Sequence, residues 1–88
     1  MNSADKKKLR AEAHTLKPVV MIGQSGLTAA VLAEIELALD SHELIKVKIR
    51  AERDDRKLII EKICTDTGAE LIQTIGQIAV LYRLNRNK

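Results

Sequence analysis

Gly23-Gln24-Ser25-Gly26 is the stretch of this sequence best suited to holding a ligand. Two glycines remove side-chain bulk, so another molecule's backbone can come close. If the stretch leads into a helix, the unpaired N–H groups of that helix start favour an anion. A nucleic-acid phosphate is the natural guest, as in the glycine loop of the KH module. Glycines at this spacing also serve plain turn chemistry. The stretch is too short for a Walker-type nucleotide site, and no Gly-Lys-Ser/Thr follows.

Two basic sets accompany it. Lys46, Lys48 and Arg50 fall on every second residue, so on a strand they share one face about 6–7 Å apart. That approximates the spacing of phosphates along one nucleic-acid strand; lysines on a solvated sheet face also discourage edge pairing. Arg53, Arg56 and Lys57 prolong the positive region. Lys6, Arg10, His14 and Lys17 are spaced by four, four and three, which on a helix makes a basic stripe. Lys17 adjoins the strand that delivers the glycines.

Catalytic and metal-binding readings find little support. His14 and His42 are the only histidines, and one cysteine with two histidines forms no metal-ligand pattern. Cys64 falls on an apolar helix face and reads as a small core residue. Asp54-Asp55 reads as a helix cap. No catalytic residue, metal or cofactor is expected.

The elements that must position these residues follow from periodicity. Ala4 to about Leu16 has Leu9, Ala13 and Leu16 at helical spacing, with Ser3 as cap. Pro18 ends that helix. Val19 to Ile22 is a short apolar run, as in a buried strand. Leu27 to about Ser41 reads as a helix with Val31, Ile35, Ala38 and Leu39 inward and Glu34 and Asp40 outward. Leu44 to Ala51 alternates, with Ile45, Val47 and Ile49 opposite Lys46, Lys48 and Arg50. A third helix runs to about Thr67 with Ile59, Ile60, Ile63 and Cys64 on its apolar face and Gly68 past its end. Glu70 to Ile75 and Ile78 to Leu84 are strands around a Gly76-Gln77 hairpin turn, and a polar tail, Asn85 to Lys88, follows. The order α-β-α-β-α-β-β predicts an α/β fold, two-layer in type, with one mixed four-stranded sheet.

Composition bounds the rest. Eighty-eight residues suffice for one domain, expected over 1–88, and 45% apolar residues suffice for a core. Tyr82 is the sole aromatic, which excludes recognition by several stacking rings. One cysteine permits no internal disulfide and fits a reducing compartment. The charged N-terminus reads unlike a secretory signal, so none is expected, and no apolar run in the sequence reaches membrane-spanning length. A cytoplasmic monomer with no membrane partner and no small-molecule substrate is expected. The net charge of +3 is modest but segregated. Pro18 to Ile45 holds Glu34, Glu36, Asp40 and Glu43 and no Lys or Arg, whereas Lys46 to Lys57 holds six basic residues and three acidic.

Leu16-Lys17-Pro18-Val19-Val20-Met21-Ile22-Gly23-Gln24-Ser25-Gly26-Leu27-Thr28 resembles the signature of the CRM domain, the chloroplast RNA splicing and ribosome maturation domain, whose single-domain bacterial form is the YhbY family. His42-Glu43-Leu44-Ile45-Lys46-Val47-Lys48-Ile49 is similar to a second family block. Gln73-Thr74-Ile75-Gly76 and Val80-Leu81-Tyr82-Arg83 are similar to a third. The blocks come in family order across nearly the whole chain. The resemblance implies a fold similar to the C-terminal domain of translation initiation factor three, with strand order one-two-four-three and the last strand antiparallel to the rest. It also implies RNA binding through Gly23, Gln24, Ser25 and Gly26, with Lys17, Lys46 and Lys48 in matched blocks. Charge geometry adds Lys6, Arg10 and Arg50. Many family loops carry a basic residue after the first glycine; Gln24 stands here, so this loop has no charge of its own.

The resemblance further implies association with ribosomal RNA in precursors of the large ribosomal subunit. Two competing readings are a module that docks on a ribosomal or assembly protein through the acidic second helix, and an enzyme acting on RNA.

Overall fold

The computed structural model describes residues 3–84 of the chain; the tail from Asn85 lies outside them. The elements are α1 (Ser3–Ala13), β1 (Pro18–Ile22), α2 (Ala29–His42), β2 (Leu44–Ile49), α3 (Arg53–Thr67), β3 (Glu70–Ile75) and β4 (Ile78–Tyr82). They build one four-stranded sheet in the order β1-β2-β4-β3. β1 and β2 are parallel, and β4 runs antiparallel to both β2 and β3. This is the mixed α/β fold that the element order implies.

The alternation in β2 sets the layers. Ile45, Val47 and Ile49 are all but fully buried. They meet Ile35 and Leu39 of α2, Ile60 and Ile63 of α3, and Val20, Ile22, Ala79 and Leu81 of the neighbouring strands in one cluster. Each Ile, Leu or Val side chain among them contributes about 1.5–3 kcal/mol by leaving water. The opposite sheet face is covered in part by α1, through Leu9 and Ala13 against Leu44, Ile72, Val80 and Tyr82. α2 and α3 thus form the second layer beside the sheet, and α1 is a short third layer on the other side.

Element ends follow local chemistry. α1 stops at Ala13, three residues short of the periodicity. There His14 and Leu16 donate their N–H groups back three residues, to Ala11 and Ala13. Pro18 disfavours helical backbone at Lys17, and this tight turn releases the chain into β1. Thr28 caps α2, its Oγ accepting from the N–H of Val31 at 3.2 Å. Glu52, not Asp54 or Asp55, is the residue before α3; the two aspartates lie in the first turn, where carboxylates suit the helix dipole. Gly68 ends α3 in the left-handed region. Gly76 has φ +57 in a two-residue turn between the paired Ile75 and Ile78, as a type II′ hairpin requires. Among the described residues no helix is long and apolar enough to cross a membrane.

Candidate functional site

Gly23 to Gly26 form a tight turn, with the N–H of Gly26 donating to the carbonyl of Gly23 at 3.0 Å. Both flanks are anchored: Ile22 is fully buried, and Leu27 packs on the core. Gly26 has φ +74, a backbone state that favours glycine. Gly23 is different. Its φ is ordinary, and a Cβ there would meet nothing within 4 Å. The fold does not require glycine at position 23, so the bare backbone there is free to admit something from outside.

Long-range bonds gather two more connections at this end of the sheet. Arg50 donates its N–H to the carbonyl of Ile22 at 2.9 Å, and Ile49 donates to the carbonyl of Gln77 at 2.7 Å. The carboxyl ends of β1, β2 and β3 therefore share one rim, the usual place for ligands in open α/β sheets. A broad cleft of about 1240 Å³ opens there. Gly23, Gln24 and Gly26 line it on one side, the arginines of positions 50, 53 and 56 on another, and Gln77 at the hairpin.

The arginines differ in availability. Arg56 is half-buried and donates Nη1 to the carbonyl of Ala51 at 2.8 Å, bracing the loop between β2 and α3. Arg50 and Arg53 are exposed. Among the described residues neither makes a side-chain hydrogen bond or ion pair. Arg53 also opens α3, with Asp54 and Asp55 beside it in the same first turn. Glu52 and Asp55 share the cleft, so its charge is mixed with a surplus of one cation.

The remaining residues singled out by sequence divide by position. Lys46 and Lys48 are half-buried on the α1 side of the sheet, with Lys48 beside Met21 of β1. Lys17 lies before β1, at the end opposite the glycine turn, in a groove with Glu12, Leu16, Val19, His42, Leu44 and Ile45. Because α1 ends at Ala13, His14 and Lys17 do not continue its face, and the four-residue basic stripe is not formed. Lys6 and Arg10 are on α1, and neither lines the cleft. Sequence reading did not place Gln77 at the site, since only the hairpin's pairing brings it there.

Arg83 closes the third family block, but its ties to α2 and α3 appear only in the fold. It donates Nη1 to Glu36 Oε2 at 2.9 Å and to the carbonyl of Thr67 at 2.8 Å, and Nη2 to Asp40 Oδ1 at 2.7 Å. Hydrogen bonding to Glu36 leads the causes that raise its already high pKa. Two acids of α2 are thereby engaged within the fold. Burial, and secondarily the Glu70 carboxylate, pushes the Cys64 thiol up from its ordinary range.

The fold and the cleft define a class: a small α/β domain that presents a glycine turn and unpaired arginines at one rim of a mixed sheet. The chain belongs to the CRS1/YhbY (CRM) domain family, whose model matches residues 1–83. It is 54% identical over 84 residues to a Haemophilus influenzae protein named an RNA-binding protein, covering 94% of this chain and 85% of that one. It is 45% identical over 86 residues to a Pseudomonas aeruginosa protein named a probable RNA-binding protein, covering 97% and 83%. The solution structure of a hypothetical Staphylococcus aureus protein superposes with a TM-score of 0.84 at 34% identity, covering 96% of this chain and 88% of that one.

Proposed function

We propose that this chain is an RNA-binding protein and not an enzyme. Gly23, Gln24, Ser25 and Gly26 receive the RNA backbone, Arg50 and Arg53 neutralise its phosphates, and Lys46 and Lys48 extend the positive surface along β2. Lys17, Lys6 and Arg10 lie elsewhere on the molecule and serve as outlying phosphate contacts for a longer RNA. The observation that carries the reading is the meeting of Gly23, which the fold does not need as glycine, with two arginines whose side chains have no partner among the described residues. Backbone N–H groups and arginines together suit phosphate, and such contacts position an RNA without reading much of its sequence. The names of the relatives support RNA as the partner.

The target proposed is ribosomal RNA in precursors of the large ribosomal subunit, bound in the cytoplasm during assembly; it rests on the family resemblance. Docking on a protein through α2 is less favoured, because Arg83 holds Glu36 and Asp40. Crosslinking in living cells, with sequencing of the attached RNA, tests the proposal. Reads concentrated in large-subunit precursor RNA are expected. Crosslinks to protein without RNA would overturn it, and RNA reads spread evenly over transcripts would overturn the ribosomal target.

A further inference from the structure

On the α1 side of the sheet one cross-strand row is left uncovered by α1. Met21 pairs with Lys48, Lys48 with Ile78, and Ile78 with Ile75, so the row crosses all four strands. Its ends are open: Met21 and Ile75 are each 54% exposed. The next row, Lys46, Val80 and Gln73, lies toward α1, where Val80 is buried. Neither row contains a carboxylate. The open row is also the one nearest the cleft. Met21 stands two residues before Gly23, Lys48 two before Arg50, and Ile75 immediately before the Gly76-Gln77 turn.

The geometry points to this row as a platform for the bases of unpaired RNA, continuous with the backbone site at the glycine turn. The inference rests on the RNA-binding reading above and names the class of RNA: single-stranded, not duplex. Four strands about 4.8 Å apart give a row of about 14 Å, room for about two or three unstacked nucleotides. Splayed bases have apolar faces that Met21, Ile75 and Ile78 can cover, taking over in aliphatic form the part that aromatic rings play on other sheets. A duplex keeps those faces inside its own stack and offers the row only sugars and phosphates. The charge pattern favours polynucleotide over protein. Lys46 and Lys48 recur along β2 on this face and Arg50 follows just past its end at the rim, and a phosphodiester chain can meet each of them, whereas a protein surface would need a carboxylate at each place.

Fluorescence anisotropy of the full chain with a short unstructured RNA oligonucleotide, and with the duplex formed from it and its complement, tests the inference. Threonine keeps the strand at both exposed positions, so the Met21→Thr/Ile75→Thr double variant should melt as the parent does. The parent should prefer the single strand by about tenfold, and the double variant should lose about that factor on the single strand while holding its duplex affinity. Met21→Tyr, which adds a stacking ring, should tighten single-strand binding several-fold. Equal affinity of the parent for both RNAs, or equal losses on both in the double variant, would overturn the platform and leave the RNA-binding reading standing. Failure of the parent to bind either RNA would overturn both. A parent that sediments as a dimer and a variant that sediments as a monomer would assign the row to a second copy of the chain and overturn the platform.

Discussion

Arg50 and Ile22 are joined by a backbone hydrogen bond of 2.9 Å, running from the N–H of Arg50 to the carbonyl of Ile22. It extends the pairing of β1 and β2 one step past Ile49 and fixes the first arginine after β2 beside the last residue before the glycine turn. The backbone that carries the arginine and the bare backbone of the turn are held together by main chain.

The two glycines of the turn should separate experimentally. Gly23→Asp has open space and an ordinary φ, so its melting temperature should stay near the parent's while RNA affinity falls, because a carboxylate now faces phosphate. Gly26→Ala must hold φ +74, which costs about 1–2 kcal/mol for a residue with a Cβ. Urea unfolding and RNA titration on both variants check this. A large stability loss in Gly23→Asp, or none in Gly26→Ala, would contradict it.

The arginines of the cleft should differ as well. Arg50→Ala and Arg53→Ala should each weaken RNA binding and lower the slope of log affinity against log salt by about one. Arg56→Ala should act chiefly on stability, by about 1 kcal/mol, since its bond to the Ala51 carbonyl braces the loop. Titrations at several salt concentrations decide it, and a parent whose binding ignores salt would remove phosphate from the mechanism.

Arg83→Ala should destabilise the fold by about 1–2 kcal/mol and leave RNA affinity unchanged. The guanidinium ties the end of β4 to α2 and to the last turn of α3, although Glu36 and Asp40 are substantially open to solvent, which keeps the figure low. Chemical denaturation with a parallel RNA titration reads both quantities. A loss of RNA affinity in a stably folded variant would place Arg83 in the interface instead.

Cys64 should be a slow thiol. Burial and then Glu70 raise its pKa in the folded state, so near pH 8 it carries less thiolate than an unfolded chain does. Linkage has the same sign. The folded state binds the proton more tightly, so this contribution to stability is complete below the unfolded pKa and is lost as pH rises through the folded one. A disulfide reagent should react more slowly with native protein than with protein in urea; equal rates would contradict the burial.

The strands were legible because their signals are local. Leu44 to Ile49 alternates residue by residue, and β3 and the Gly76-Gln77 turn stand where hydrophobicity and turn chemistry place them. Helix ends were less legible. The periodicity of α1 runs on to Leu16, but Pro18 and the backward bonds of His14 and Leu16 stop the helix earlier. Glu43, with φ +63, carried no warning at all. It is the single residue between the end of α2 at His42 and the start of β2 at Leu44, and so short a joint forces an unusual backbone on whatever residue stands there.

Hydrophobic period and turn residues determined by themselves which segments are helix or strand, and the family blocks that begin with Leu16 to Thr28 determined the family. Those are properties of neighbours along the chain, and a few residues suffice to express them. Which cations join the turn was decided by strand pairing. Lys17, six residues before Gly23, lies at the far end of β1, whereas Arg50 and Gln77, remote in sequence, reach the same rim through bonds across the sheet. A strand separates residues that are near in sequence, and a sheet unites distant ones, so closeness at the site is settled by register.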